Sequence, residues 1–206
     1  MTHPTLLLLR RVALVTLAAA SLGGCAALVV GGALGTAFVV SDRRTSGVQL
    51  EDQAIELKAV NRIREAVGER GHVNATSYNR TILLSGEVAS DADRTAIEQT
   101  VSRIENLRST VNELAVMGSS SITARSNDAI LTSKVKASYL DAKDIQANAI
   151  KVVTERGTVF LMGRVTEREA TRAAELARGV SGVQKVVRVF EILTEAELAD
   201  LSTKKN

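Results

Sequence analysis

The sequence predicts an α+β fold made of two tandem αββαβ modules. Each module is expected to have a three-stranded mixed sheet with two helices on one face of the sheet. Three observations lead to this prediction. Segments of the first half of the chain recur in the second half about 76 residues later. Apolar residues recur with helical spacing twice in each copy, and alternating apolar residues indicate strands between and after these helices.

The internal repeat is visible in the sequence letters. The stretch TILLSGEV at 81–88 matches TVFLMGRV at 158–165, and LRSTVNEL at 107–114 matches VQKVVRVF at 183–190. The chain divides accordingly into segments with different expected roles. These are a signal peptide at 1–24, an acylated N-terminus and tether at 25–49, a first module at 50–117, a linker at 118–126, a second module at 127–193 and a C-terminal tail at 194–206.

Each module begins with a helix and continues with two strands. The first helices carry apolar residues four positions apart, at Ile55, Ala59 and Ile63 in the first copy and at Leu131, Val135 and Tyr139 in the second. Alternating residues then predict two strands joined by a short turn. A capping box at Thr166 and Glu169, with a weaker counterpart at Ser90 and Asp93, predicts the start of each second helix. A last strand closes each module.

One face of each predicted sheet lacks a helix to cover it. A module of about 65 residues buries little surface alone, so we expect the two modules to cover each other. Leu83 in the first copy, and Phe160 and Met162 in the second, point to that open face by alternation. These three residues are the predicted domain interface, and ordinary exposed apolar residues are the alternative.

The N-terminal segment has the layout of a secretory signal. Arg10 and Arg11 precede an apolar stretch at 12–22, and LGGC at 22–25 resembles a bacterial lipobox, in which the cysteine becomes acylated. Cys25 is therefore the predicted lipidation site. The alternative is a buried cysteine in a membrane-spanning helix, since residues 12–40 carry no charge.

The segment after Cys25 is expected to hold the protein at a membrane surface. The apolar run at 26–40 is followed by SDRRTSG, which predicts a polar tether. By resemblance to lipoprotein sorting, Ala26 after the cysteine implies export to the outer membrane. A diacylglycerol and acyl anchor, such as palmitate, on the periplasmic face of a Gram-negative outer membrane is the expected outcome.

Composition excludes several classes of function. Residues 1–24 hold two arginines and no acid, so their removal lowers the formal net charge from +3 to +1. With one cysteine, two histidines and five aromatic residues in the chain, we expect no metal site, no cofactor and no nucleic-acid partner. His72 is the only histidine after the signal, which leaves no evident nucleophile and base pair. We therefore expect no catalytic residue and no enzyme activity.

The repeated pattern resembles the BON domain, a small αββαβ module of bacterial envelope proteins. The likeness is densest at VNATSY, VTERGTVFLMGRVTEREA and SGVQKV, and Gly86 and Gly163 occupy the BON strand-end position. The resemblance implies a periplasm-facing outer-membrane lipoprotein that supports envelope integrity. It also implies binding of anionic phospholipid through the first helix of the second module.

Five residues of that helix are the expected lipid-binding site: Ile130, Ser133, Lys134, Lys136 and Ala137. An apolar residue one turn from a lysine suits a membrane interface, because the apolar group enters the acyl boundary while the lysine meets phosphate. The family can present an aromatic residue where this chain has Ile130. An ordinary solvated helix edge is the alternative.

Two other functions remain open from the sequence. A scaffold that recruits envelope-assembly proteins requires only the two modules and the anchor. An enzyme with an unrecognised carboxylate site is disfavoured by the scarcity of histidine and of free thiols.

Overall fold

The computed structural model describes residues 42–68 and 70–203 of the chain. The predicted signal peptide at 1–24 and Cys25 lie outside the described residues. All the described residues belong to one compact unit that contains both modules.

The first module has the predicted order of elements. They are α1 (Ser46–Val67), β1 (Gly71–Tyr78), β2 (Thr81–Val88), α2 (Asp91–Val101) and β3 (Ser109–Val116). The sheet order is β1-β2-β3, with β2 antiparallel to β1 and parallel to β3. The sheet is therefore mixed.

The second module repeats this arrangement and ends in an additional helix. Its elements are α3 (Ile122–Asp141), a 3-10 turn (Ala147–Ala149), β4 (Ile150–Glu155), β5 (Thr158–Thr166), α4 (Glu167–Gly179), β6 (Lys185–Leu193) and α5 (Glu195–Thr203). The sheet order is β4-β5-β6 with the same strand directions. The predicted α+β fold of two tandem modules is confirmed, and so is the capping box of Thr166 and Glu169.

The hydrophobic cores follow from strand alternation. In each sheet one face packs against the two helices of its own module. The other faces of the two sheets pack against each other around Tyr78, Leu83, Phe160 and Met162, all of them buried. The structure thus places the three predicted interface residues in one cluster between the two sheets. The helices of each module lie on the outer side of its own sheet.

A buried aspartate in each first helix holds the hairpin of its module. Asp52 accepts hydrogen bonds from the backbone N–H groups of Asn79 (2.8 Å) and Arg80 (2.7 Å). Asp128, 76 positions later, accepts them from Arg156 (2.7 Å) and Gly157 (2.9 Å). All four turn residues have positive φ, which is typical of a two-residue type I′ turn. The carboxylates stabilise these turns by satisfying donors that the strands leave free.

The first helix of each module begins before the module boundary that the sequence suggests. Helix α3 begins at Ile122, within the predicted linker, because the Ser121 hydroxyl accepts a hydrogen bond from the N–H of Ala124 (3.1 Å) and caps the helix. The predicted tether at 25–49 includes residues 46–49 of α1 and, before them, Arg43 and Arg44. We call residues 42–44 the clasp, because they are held by both modules.

The clasp is fixed by ion pairs. Arg43 is 8% exposed, and its guanidinium donates to both carboxylate oxygens of Glu169, at 2.7 Å each. Burial acts to raise the pKa of Glu169, but hydrogen bonds from Arg43 and from the Thr166 N–H outweigh it, so the pKa lies below its ordinary value. Arg44 pairs with Asp42 and Asp52, at 2.7 Å each. The polar sequence around Arg43 and Arg44 does not indicate these distant partners.

Gly86 and Gly163 lie where neighbouring backbone approaches closely. Gly86 has φ +112°, and a Cβ added there would overlap the carbonyl oxygen of His72 on β1. A Cβ on Gly163 would lie 2.5 Å from the carbonyl oxygen of Ala149. Both positions therefore require glycine for backbone packing.

Alanine at either glycine is expected to lower the free energy of unfolding by roughly 2 kcal/mol or more, because the new methyl group meets backbone that strand pairing holds in place. Denaturant titration measures this loss for Gly86→Ala and Gly163→Ala. Gly179→Ala is the matched control, since a Cβ there meets nothing within 4 Å. Equal losses in all three variants would contradict the steric explanation.

The ion pair of Arg43 and Glu169 is expected to make stability depend on pH. Because the folded pKa of Glu169 is lowered, its contribution is complete above the unfolded value of about 4.3 and is lost as pH falls through the folded value. Glu169→Gln should therefore be less stable than wild type at pH 7, and the gap should shrink below about pH 4. Glu175→Gln, which removes an exposed pair with Arg172, should show little effect at either pH. An unchanged gap at pH 3.5 would refute this linkage.

Candidate lipid-binding surface

The rotation of α3 about its axis is set by its buried side. Leu131, Val135 and Tyr139 pack into the core of the second module. The Tyr139 hydroxyl donates a hydrogen bond to the Ala173 carbonyl oxygen on α4 (3.0 Å). Burial raises the pKa of Tyr139, so the phenol keeps the proton that it donates. The opposite side of α3 must then face solvent.

That solvent-facing side is unusually apolar for an exposed helix. Ile122 is 80% exposed, Ile130 54% and Leu140 72%. Between them lie small side chains, and the Ser133 hydroxyl donates to the Ala129 carbonyl oxygen (3.0 Å), which satisfies its hydrogen. We call this side the outer face of α3; its members are Ile122, Ala129, Ile130, Ser133, Ala137 and Leu140.

The two predicted lysines lie at opposite edges of the outer face. At 100° per residue, Lys134 and Lys136 point about 200° apart. Lys134 lines a cavity of about 490 Å³ together with Ile130. Lys136 lines another, of about 330 Å³, together with Leu140. The structure thus brings Ile130, Ser133 and Ala137 into one strip and places one lysine on each side of it.

The charges along α3 favour an anionic partner. In the described ranges, 42–68 and 70–203, neither Lys134 nor Lys136 forms an ion pair or side-chain hydrogen bond. Arg125 is a third exposed cation, and Asp141 is the exposed acid at the C-terminal end of the helix. Asp128, the other acid of α3, is buried and turned toward the β4–β5 turn.

Sequence reasoning missed Ile122 and Leu140 as members of this surface. Ile122 fell within the predicted linker, although Ser121 before it is a good N-cap residue. Leu140 follows the buried Tyr139 and precedes Asp141, so it resembles the end of the core stripe. Its position three residues after Ala137 is the signal that places it on the outer face.

Other chemistry has little support in the described part of the chain. The His72 ring lies 3.2 Å from the Asn74 amide nitrogen and 3.4 Å from an Arg125 guanidinium nitrogen. No group of three or more His, Cys, Asp or Glu residues is arranged to hold a metal ion within residues 42–68 and 70–203. None of the helices described there is both long and apolar enough to cross a bilayer.

Comparison with known families identifies the family of the two modules. The family model described as BON domain matches residues 52–118 and 127–194. The chain belongs to the BON-domain family. Both BON copies coincide with the two modules, so the internal repeat is a tandem pair of these domains.

Three named proteins are similar in sequence to this chain. It is 36% identical over 92% of its length to the outer membrane lipoprotein DolP of Haemophilus influenzae, 99% of which is covered. It is 31% identical to a 21 kDa hemolysin of Actinobacillus pleuropneumoniae, over 72% of this chain and 78% of that one. It is 26% identical to the osmotically-inducible protein Y of Escherichia coli, over 72% and 76%. These findings confirm the predicted tandem BON, DolP-like lipoprotein and support an outer-membrane lipoprotein of this family.

Proposed function

We propose that the protein is a periplasm-facing lipoprotein of the outer membrane that binds anionic phospholipid through the outer face of α3 and thereby supports outer-membrane integrity. Acylated Cys25 is the anchor in this proposal. The observation that supports it best is the apolar outer face of α3 with a lysine on each side that has no ion pair within residues 42–68 and 70–203. Such a face suits a helix that lies in the plane of a membrane surface.

The apolar contribution comes from three large side chains. Burying one isoleucine or leucine completely gains about 1.5–3 kcal/mol, and partial entry into the acyl boundary gains less. Ile122 and Leu140 therefore add to Ile130 and replace area that an aromatic residue at position 130 would supply. Their exposure in the folded protein means that little apolar contact is lost on binding.

The charge contribution selects the lipid. A lysine or arginine near an anionic membrane surface gains about 1 kcal/mol, and a zwitterionic surface does not offer this attraction. Lys134 and Lys136 lie on both sides of the apolar strip, which allows both ammonium groups to reach phosphates while the strip enters the membrane. Weak binding by α3 is sufficient when an acyl anchor keeps it at the surface.

The double variant Ile130→Asp, Lys134→Glu is expected to reduce binding of residues 42–206 to phosphatidylglycerol vesicles at least tenfold. It places a desolvation cost and a repulsive charge on the outer face. Vesicle flotation against phosphatidylcholine vesicles measures the effect and its lipid selectivity.

The repeat supplies a matched control for this experiment. Leu57 is 65% exposed on α1, next to exposed Lys58, so Leu57→Asp, Lys58→Glu makes the same chemical change on the other helix layer. This control should bind vesicles like wild type. Unchanged binding by the α3 variant would refute the site.

A second candidate function is a scaffold for envelope proteins, and the α1 surface favours it. Leu50 is 68% exposed, Leu57 65% and Val60 42%, all on the outer side of α1. Because α1 and α3 belong to helix layers on opposite sides of the two sheets, one flat membrane does not meet both faces.

The α1 control variant also tests the scaffold. If α1 binds a protein, Leu57→Asp, Lys58→Glu should abolish capture of one stoichiometric envelope partner by the lipidated chain while vesicle binding persists. Capture of the same partner by both variants would exclude α1 as the docking surface.

A further inference from the structure

We propose that the clasp couples the membrane anchor to the lipid-binding helix. It ties both modules to the first described residues of the chain and fixes the place from which the anchor segment leaves, beside the C-terminal half of α3. The membrane part of this inference rests on the proposed function, whereas the coupling of the modules stands on the clasp contacts alone. Arg43 and Arg44 are positioning residues in this mechanism.

Arg43 belongs to the second module by its contacts. Besides Glu169, it donates hydrogen bonds to the Arg164 carbonyl oxygen (2.7 Å) and the Gln146 side-chain oxygen (3.2 Å). The Arg164 guanidinium in turn donates to the Arg43 carbonyl oxygen (3.3 Å). These partners are more than 100 positions away in sequence, so the chain before α1 is held by the other module.

Arg44 belongs to the first module. It pairs with Asp52, the aspartate that also holds the β1–β2 turn, and its guanidinium lies 4.1 Å from the centre of the Tyr78 ring. Burial acts to lower the pKa of Arg44, but hydrogen bonds to Asp42 and Asp52 outweigh it and raise the pKa above its ordinary value. The two consecutive arginines therefore form ion pairs with residues of different modules.

Tyr78 continues this connection across the interface. Its hydroxyl lies 3.4 Å from the Ala149 carbonyl oxygen of the second module. Burial, with a contribution from Asp42, raises its pKa to about 12, so the hydroxyl keeps its proton. The clasp and Tyr78 therefore close one edge of the interface between the sheets.

The clasp lies next to the lipid-binding helix. Asp42 and Arg44 line the same cavity of about 330 Å³ as Lys136 and Leu140 of α3. Lys136 is the lysine at one edge of the outer face, and Leu140 is its apolar residue nearest the C-terminal end. Asp42, the first described residue, consequently lies beside the proposed membrane-binding residues.

The position of Asp42 matters because the chain that joins it to Cys25 is short. Sixteen residues separate Cys25 from Asp42. The apolar run at 26–40 is expected at the membrane surface, which leaves only Ser41 between that run and Asp42, whereas a domain of about 160 residues is roughly 40 Å wide. A departure point beside α3 therefore gives α3 a higher effective concentration at the membrane than the opposite helix layer.

The first experiment tests the coupling of the modules without lipid. It compares hydrogen–deuterium exchange of the full chain with Cys25→Ser, with and without Arg43→Ala, Arg44→Ala. We expect at least tenfold faster exchange in β1 and β4 next to the interface. Arg43→Lys, Arg44→Lys keeps both charges but cannot form the bidentate pair with Glu169, so it should recover only a small part of the protection. Arg172→Ala, Arg178→Ala removes two arginines from α4 and should match wild type; unchanged exchange in the clasp variant would overturn the coupling.

The second experiment uses the Cys25-lipidated chain on phosphatidylglycerol vesicles and follows exchange in residues 122–141. The alanine clasp variant should lose protection several-fold relative to wild type and to Arg172→Ala, Arg178→Ala. With Cys25→Ser at saturating vesicle concentration, clasp variant and wild type should be protected equally, because the outer face of α3 is intact. A difference between clasp variant and wild type that appears only in the lipidated chain indicates lost positioning of α3, whereas a general loss of stability would appear in both forms.

Two results would contradict the membrane part. Equal protection of the lipidated clasp variant and lipidated wild type would overturn the role of the clasp in positioning α3. Absence of protection in lipidated and unlipidated wild type alike would overturn the proposed function itself, and the membrane part of this inference with it. The lipid-free exchange experiment decides the coupling of the modules in either case.

Discussion

The packing of the two bare sheet faces against each other is the contact on which the rest of the structure depends. A three-stranded sheet with helices on one side leaves its other side apolar, and a module of this size has little core to compensate. Leu83 on one sheet and Phe160 and Met162 on the other fill that space and are at most 3% exposed. The pairing turns all the helices outward. Each first helix is thereby left with one free side on which a function can develop.

The residues on that free side differ between the two copies. At the offset of 76, Lys58 corresponds to Lys134, but Ala54 corresponds to Ile130 and Arg64 to Leu140. Both helices keep an aspartate that holds the hairpin and an apolar stripe for the core. The differences at these outward positions do not affect the core stripe, so they leave room for a difference in binding partner.

Local patterns predicted most of the fold, and long-range partners account for most of what they missed. The repeat, the strand alternation and the Thr166–Glu169 cap act over a few residues, so the sequence displays them directly. The outward-facing residues of α3 could also be predicted from helical spacing, except in its first turn, which lies in a serine-rich stretch. The clasp could not be predicted from the sequence, because Arg43 pairs with Glu169, which lies 126 positions away. The residues around Arg43 do not distinguish it from an arginine in a solvated tether.

The buried pair of Arg43 and Glu169 is better explained by specificity than by stability. Removing two charges from water costs several kcal/mol per ion, and apolar residues of similar size often stabilise a protein as well. An apolar contact, however, tolerates small shifts, whereas a bidentate arginine–carboxylate pair requires one geometry. The proposed role of the clasp, to hold the first described residues at one place beside α3, needs that geometric restriction. Arg44, confined between two carboxylates and the Tyr78 ring, applies the same restriction to the first module.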